Sequence, residues 1–194
     1  MVLFDKKLYD KQFEQSGIYE EIGVFGIRNT VDYLIKYLTS GNTEINEIPE
    51  LAVFSEAERS HLEDVRYIII WAKALGIAAF VLLIIFILRL NQLKDYALNF
   101  RRILIYGGIA TLAVLAIIFF LSLNFPAFFD AFHRLLFPQG NYTFPVNYLL
   151  IKMFPQVFFN AYAIKMFFHV LIMSLVLIFL GSSSALAFRK TRRN

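Results

Sequence analysis

The 194-residue sequence contains no cysteine, which excludes disulfide bonds, thiolate metal sites and a cysteine nucleophile. Charged residues make up only 18% of the chain and hydrophobic residues 58%, a balance that lies outside the range of soluble globular domains. The first 17 residues also lack the apolar run that a signal peptide needs. The composition therefore predicts an integral membrane protein whose compartment has to be derived from its topology.

The charges are segregated along the chain. Residues 1–66 contain thirteen of the fifteen acidic residues and seven Lys or Arg, so this segment has a net charge of −6, whereas the remainder is basic. Most of the excess positive charge lies next to hydrophobic segments, where anionic lipid and membrane topology explain it. A nucleic-acid partner is therefore rejected in spite of the basic pI.

Three segments have the roughly 20 apolar residues that are needed to cross a bilayer: Ile68 to Leu88, Ile103 to Leu123, and Met166 to Phe188. The connection between the first two and the C-terminal tail are both rich in Lys and Arg, which places them in the cytoplasm. Residues 1–66 and the stretch after the second span are then extracytoplasmic.

These patterns predict an all-α fold, a polytopic transmembrane helix bundle in the cell membrane with a small extracytoplasmic segment and an interfacial amphipathic helix. The predicted order is an extracytoplasmic helical segment (1–66), a transmembrane helix (67–90), a cytoplasmic loop (91–102), a second transmembrane helix (103–124), an extracytoplasmic interfacial helix and loop (125–163), a third transmembrane helix (164–188) and a basic cytoplasmic tail (189–194). An acidic outer segment of this length needs something to translocate it. We therefore expect a further hydrophobic helix upstream, which would give the full-length protein four spans.

The outer N-terminal segment contains two helix signals. Ile27, Val31, Leu34 and Leu38 recur at helical spacing before Ser40-Gly41-Asn42, which indicates an amphipathic helix closed by a glycine. Ser55 and Glu58 have the spacing of a capping box, which predicts that a helix begins there. Since no Gly or Pro intervenes until Gly76, this helix is expected to continue unbroken into the first span.

Glu58, His61 and Asp64 are three residues apart, so their side chains share one face of the emerging helix near the outer lipid headgroups. A carboxylate beside an imidazole can fix its tautomer and raise its basicity, which is useful in a general base. The plain alternative is a solvated helix face on which Glu58 only caps the helix. The Glu58-x-x-His61 spacing also suits a metal site, but a single copy without a second ligand set is a weak signal.

Residues 125–137 predict a second outer element, a helix lying in the membrane interface. Its aromatic and leucine side chains fall on one side of the helical wheel, with Asp130 and Arg134 on the other. His133 lies at the edge of the apolar stripe, level with the glycerol and ester groups of a lipid, where a base would be useful. The plain alternative is an amphipathic side chain that the interface simply tolerates.

Two stretches resemble motifs of the bacterial lipoprotein intramolecular transacylase family, and the resemblance covers nearly the whole chain. The first is Phe54-Ser55-Glu56-Ala57-Glu58-Arg59-Ser60-His61-Leu62-Glu63-Asp64-Val65, which leads directly into a span. The second is Phe132-His133-Arg134-Leu135-Leu136-Phe137-Pro138, followed by Asn141, Tyr142 and Phe144, then Leu150-Ile151, Pro155 and Phe158-Phe159. The order of the segments agrees with the family, whose members carry an additional N-terminal span.

The resemblance implies a membrane acyltransferase that moves the sn-2 acyl chain of a diacylglyceryl lipoprotein onto the α-amine of its N-terminal Cys, leaving the lyso form. It implies an outward-facing active site, with His61 and His133 at the positions of the family's two histidines and Glu58 and Asp64 at motif positions. The partners implied are the diacylated lipoprotein and membrane lipid. One departure concerns substrate positioning, because Tyr142 and Phe144-Pro145-Val146 stand where the family often has Trp, an acidic residue and Pro.

Two histidines suit this chemistry, because the attacking amine must lose a proton and the departing glyceryl oxygen must gain one. Donor and acceptor belong to one molecule, so no metal, nucleotide or other cofactor is required. Which histidine acts as base is left open by the sequence, and the candidate oxyanion donors are Asn141, Arg134 and the backbone amides near Gly140. The alternatives are a different lipid-ester transferase or hydrolase, and a non-catalytic membrane protein whose outer segment binds a partner.

Overall fold

The structure of the chain, a computed structural model, describes residues 9–10, 13–14, 18–39, 43–92 and 95–191. All regular secondary structure within these residues is helical, which confirms the predicted all-α class. The helices are α1 (Ile18–Ile22), α2 (Val24–Thr39), α3 (Glu56–Leu90), α4 (Tyr96–Leu121), α5 (Phe125–Leu136), α6 (Leu149–Met153) and α7 (Gln156–Thr191), with short 3-10 turns at Ile45–Glu47 and Pro49–Leu51. The expected closing segment Ser40-Gly41-Asn42 and the tail residues 192–194 lie outside the described residues.

Three helices are long and apolar enough to cross a membrane, as the sequence predicted: α3, α4 and α7 from Gln156 to Ser183. Each of them extends beyond its apolar run. Helix α3 is 35 residues long, so at 1.5 Å per residue it measures about 50 Å. It is continuous from its capped start to Leu90, as expected, because it contains no proline and tolerates the single Gly76.

The chain divides into two compact units. The first consists of the described residues of Met1–Gly76 with Pro126–Tyr162, and the second of Ile77–Phe125 with the described residues of Ala163–Asn194. In the first unit, α2 buries Ile27, Val31 and Leu34, which confirms the predicted amphipathic face. These side chains belong to one apolar core together with Leu62 of α3 and Met153 of α6.

The second unit is held together by close approach of α4 and α7 at glycines. A Cβ atom added to Gly108 would lie 2.8 Å from the carbonyl oxygen of Ser174 and 2.6 Å from the side chain of Ile178. One added to Gly181 would lie 2.7 Å from the side chain of Ile105. Most other apolar side chains of this unit are exposed, which is what lipid as the surrounding solvent permits.

Candidate active site

The first turn of α3 positions the first candidate group. The backbone N–H and the hydroxyl of Ser55 both donate to Glu58 Oε2, at 2.7 and 2.8 Å, and the Glu58 N–H donates to Ser55 Oγ at 3.3 Å. This reciprocal arrangement confirms the predicted capping box. The other carboxylate oxygen, Oε1, accepts the backbone N–H of Leu150 at 2.7 Å. Glu58 therefore joins the start of α3 to the start of α6.

The solvated-face interpretation of this turn is wrong. Glu58 is only 2% exposed and His61 only 7%, because the turn is covered by the segment after α5 and by α6. A carboxylate buried to this extent needs hydrogen-bond donors, and the three donors from Ser55 and Leu150 supply them. Glu58 is thus more than a helix cap, since it is a buried junction one turn before His61.

The second candidate group, His133, lies in the last turns of α5. Its Nδ1 is 2.8 Å from the carbonyl oxygen of Phe129, one helical turn earlier. A carbonyl oxygen can only accept, so Nδ1 carries the proton and donates it to Phe129. In the neutral imidazole, Nε2 is then the nitrogen with the free lone pair.

The fold brings the two distant histidines together within the first unit. Their ring centroids are 6.4 Å apart and their planes are 23° from parallel. Phe137 contacts both rings, with centroid distances of 4.6 Å to His61 and 5.7 Å to His133. Phe144 lies 5.5 Å from His61. Phe129 and Tyr142 lie 4.1 and 5.4 Å from His133, so both imidazoles are enclosed by aromatic rings.

Burial keeps His61 neutral. His61 precedes the apolar run that begins at Ile68, and its pKa is lowered from 6.5 to about 4, chiefly by desolvation and secondarily by the charge of a protonated His133, against a smaller raising effect of Asp64. Its Nδ1 atom is buried and has no hydrogen-bond partner. Within α3, the side chain of Asp64 acts on His61 through charge and makes no hydrogen bond to it, contrary to the expected carboxylate–imidazole pairing.

Asp64 instead binds the turn that follows α5. Its Oδ2 accepts the side-chain amide of Gln139 at 2.8 Å and the side-chain amide of Asn141. Gln139 also donates to Asn141 Oδ1 at 3.1 Å, which closes a three-residue network. The turn includes Gly140 with φ +82°, a left-handed conformation that suits glycine. This network fixes the segment that carries Phe137 and Tyr142 against the histidines.

Arg134 lies at the exposed edge of the site. It forms an ion pair of 2.7 Å with Asp130 one turn earlier on α5, and it hydrogen-bonds the phenol of Tyr142, and both contacts raise its pKa. Its side chain is 72% exposed. Of the oxyanion donors expected from the sequence, Arg134 and Asn141 are thus both engaged with protein partners.

Within the described residues, no group of three or more His, Cys, Asp or Glu side chains is arranged to hold a metal ion. The carboxylate of the Glu58-x-x-His61 pair is occupied by Ser55 and Leu150. The arrangement offers a buried, neutral imidazole at His61 next to the half-buried imidazole of His133, among aromatic rings. Groups of this kind can transfer a proton and can donate a hydrogen bond to a developing charge.

The structure adds residues to the candidate site that the sequence pattern does not predict. Phe144 and Phe137 were noticed only as parts of a motif, although they form the walls next to His61. Leu150 is part of the second motif, but neither the bond from its amide to Glu58 nor the bond from Gln139 to Asp64 has a signal in the sequence, because each is a contact across the fold. The Phe129 carbonyl was available from sequence, since a residue four positions before His133 in a helix always presents its carbonyl in that direction.

Comparison with known proteins identifies a family and a solved structure that this chain resembles. The family model described as "Lipoprotein intramolecular transacylase Lit" matches residues 1–159. Among solved structures, the in meso structure of the membrane-integral lipoprotein intramolecular transacylase Lit from Bacillus cereus has a similar fold, with a TM-score of 0.69 at 23% sequence identity, covering 100% of this chain and 87% of that one. No curated protein sequence matches the chain.

Proposed function

Because this chain belongs to the lipoprotein intramolecular transacylase family and is a membrane acyltransferase, we propose that His133 is its general base and that neutral His61 stabilises the oxyanion. The observation that carries this proposal is the hydrogen bond from His133 Nδ1 to the Phe129 carbonyl, beside a second imidazole 6.4 Å away. The proposal gives different roles to the two histidines, which the sequence alone leaves equivalent.

The tautomers support this division. With Nδ1–H directed at the Phe129 carbonyl, Nε2 of His133 is free to accept a proton from the attacking amine. In His61 the buried Nδ1 has no acceptor, and an orphaned N–H is costlier than an orphaned lone pair. The proton of neutral His61 is therefore on Nε2, where it acts as a hydrogen-bond donor. A pKa of about 4 also makes His61 a poor base at neutral pH.

The reaction follows from these roles. The α-amine of the N-terminal Cys attacks the carbonyl carbon of the sn-2 ester while His133 Nε2 removes the amine proton. The tetrahedral oxyanion accepts the Nε2–H of His61 without receiving the proton. The carbon–oxygen bond to glycerol then breaks, and His133 returns its proton to the glyceryl oxygen. The products are an amide on the cysteine and a free hydroxyl on the glyceryl group, so no external reactant is consumed.

The remaining site residues position these groups. Glu58 fixes the turn that carries His61, and Asp64 with Asn141 holds the segment after α5. Tyr142 packs on His133 and is held by Arg134. We place this site on the extracytoplasmic side and the C-terminus in the cytoplasm, since the Lys and Arg residues within 89–102, where α3 ends and α4 begins, and those of the tail favour the cytoplasm.

The role assignment is tested with His61→Gln and His133→Gln in the purified enzyme, using mass spectrometry to follow transfer of the acyl group from glyceryl oxygen to cysteine nitrogen. A glutamine amide still donates a hydrogen bond but does not act as a base. We expect about 10²–10⁴-fold loss of kcat for His133→Gln and at least tenfold smaller loss for His61→Gln. The reverse order would exchange the two roles, and full activity of both variants would rule out this site.

The proposed orientation has its own test, which the absence of cysteine simplifies. Val146→Cys and Gln92→Cys each introduce a single thiol at an exposed position, one in the segment before α6 and one between α3 and α4. In intact cells, a membrane-impermeant maleimide is expected to label the first and to label the second only after lysis. The opposite pattern would invert the proposed topology.

A further inference from the structure

A groove in the first unit is not used by the proposed reaction. It lies between α2 and α6 and has a volume of about 320 Å³. Its floor includes Ile27 of α2 and Met153 of α6, which are both buried in the core. The volume is at the lower end of the range of about 300–1,000 Å³ that is typical of ligand sites, so a short segment is the largest occupant it can take.

Polar side chains also line the groove, namely those of Thr30, Asn147 and Lys152. Asn147 lines it and is exposed, and its side-chain amide forms no hydrogen bond to any residue that the structure describes. The Thr30 hydroxyl donates to the Gly26 carbonyl at 3.0 Å and keeps its lone pairs for an incoming donor. Val53, which also lines the groove, is 56% exposed. An apolar floor beside an amide and a hydroxyl suits a peptide, whose backbone needs hydrogen bonds that an acyl chain does not.

Side-chain and backbone contacts connect the groove to the catalytic pair. From His61, the ring of Phe144 lies 5.5 Å away, and Phe144 stacks at 5.8 Å on Tyr148, which sits between Asn147 and Leu149 of the groove. A second connection is the bond from the Leu150 amide to Glu58, one turn before His61. A lipoprotein whose N-terminal cysteine is held at the histidines has its following residues within reach of this groove.

We propose that this groove binds the peptide segment that directly follows the acylated cysteine of the lipoprotein. The inference rests on the proposed function, because it takes the catalytic pair as the place of the cysteine. The segment lies over Ile27 and Met153, and its backbone is hydrogen-bonded by Asn147. The enzyme thereby selects a lipoprotein over a diacylated lipid of similar polarity that lacks a peptide.

The test compares two substrates with the full-length enzyme in mixed micelles: a diacylglyceryl cysteine amide, and the same group followed by four further residues. The wild type is expected to show about a tenfold lower KM for the longer substrate. Asn147→Ala should raise that KM about fivefold, as loss of a hydrogen-bond pair does, with kcat unchanged. Gly26→Phe, which places a ring in the groove, should raise it about tenfold or more. Neither variant should alter the KM of the short substrate by more than about twofold.

Asn29→Phe is the matched control for Gly26→Phe, since it adds the same ring to an exposed position of α2 that does not line the groove. It should leave both KM values unchanged. Equal KM values for the two substrates in the wild type, or equal effects of the groove variants on both, would overturn the proposal. The proposal would also be overturned if the effect of the groove variants on KM depended on the length of the substrate's acyl chain, because the groove would then bind the acyl chain. Failure of the proposed function looks different, because neither substrate would then be converted by the wild type.

Discussion

Two buried polar side chains, Ser174 in the second unit and Glu58 in the first, find their hydrogen-bond partners in opposite ways. In the second unit, buried Ser174 donates only within its own helix, to the carbonyl oxygens of Val170 and Leu171 at 2.7 and 3.0 Å. In the first unit, buried Glu58 receives a donor from another helix, the Leu150 amide. A bond within one helix leaves the approach of neighbouring helices to packing alone, whereas a bond across elements fixes their relative position.

This difference indicates that the first unit is the better suited of the two to hold reacting groups in fixed positions. An acyl transfer needs groups held to within a fraction of an ångström, and cross-element bonds such as those of Glu58 and Asp64 supply that constraint. In the second unit, small residues allow close approach of the helices, and lipid as the surrounding solvent tolerates the exposed apolar surface. Substitutions in the two units should therefore destabilise the protein for different reasons.

Removal of the buried carboxylate should give the largest effect on stability. Glu58→Ala removes the acceptor of the buried Leu150 N–H and of the part-buried Ser55 N–H. Since hydrogen bonds to charged groups contribute about 1.5–3 kcal/mol each, we expect a loss of about 3 kcal/mol or more in the free energy of unfolding. Thermal denaturation in detergent measures it. Glu56→Ala, an exposed acid in the same helical turn, is the control and should change stability by less than about 0.5 kcal/mol.

Acid should destabilise the first unit through His61. The pKa of His61 is 6.5 in the unfolded chain and about 4 in the folded one, so the unfolded state gains a proton first as the pH falls. At about 1.4 kcal/mol per pH unit, roughly 3 kcal/mol of stability is lost between pH 6.5 and pH 4. His61→Gln does not titrate. The difference between wild type and variant in unfolding free energy should therefore follow this pH range, and parallel pH curves would contradict the burial of a neutral imidazole.

The second unit should be sensitive to added volume at the place where α4 and α7 approach each other closely. Gly108→Ala brings a methyl group to within 2.8 Å of the Ser174 carbonyl oxygen, which is backbone and has little room to move. Overpacking of this kind costs about 1–3 kcal/mol. The neighbouring Gly107→Ala is the control, because nothing lies within 4 Å of its added Cβ. Equal denaturation midpoints for the two variants would show that close approach at Gly108 does not stabilise this unit.

The sequence predicted those features that depend on local pattern. Residue spacing predicts the capping box at Ser55, the apolar face of α2 and the three long helices, because local backbone structure depends directly on neighbouring residues. The pairing of His61 with His133 came from the family resemblance instead, because spacing carries no information about contacts between distant segments. The Leu150 amide had no sequence signal whatever, since every residue except proline has such a group.

The smallest effect is expected at the exposed edge of the site. Arg134→Gln removes the ion pair with Asp130, whose side chains are 72% and 48% exposed, and removes the hydrogen bond to Tyr142. An exposed pair of this type contributes less than about 1 kcal/mol, because water and salt screen it. We expect stability to change by less than this amount and kcat to fall by less than about fivefold.

Asp130→Asn separates the two contacts of Arg134, because it removes the ion pair and leaves the hydrogen bond to Tyr142 available. If Arg134 acts by holding Tyr142 against His133, Asp130→Asn should retain wild-type kcat while Arg134→Gln does not. A loss of about 100-fold or more in Arg134→Gln would instead mean that the guanidinium contacts the reacting ester directly. Arg134 would then share the role of oxyanion donor assigned to His61. The exposed edge of the site would in that case belong to the catalytic machinery and would tolerate substitution no better than its buried part.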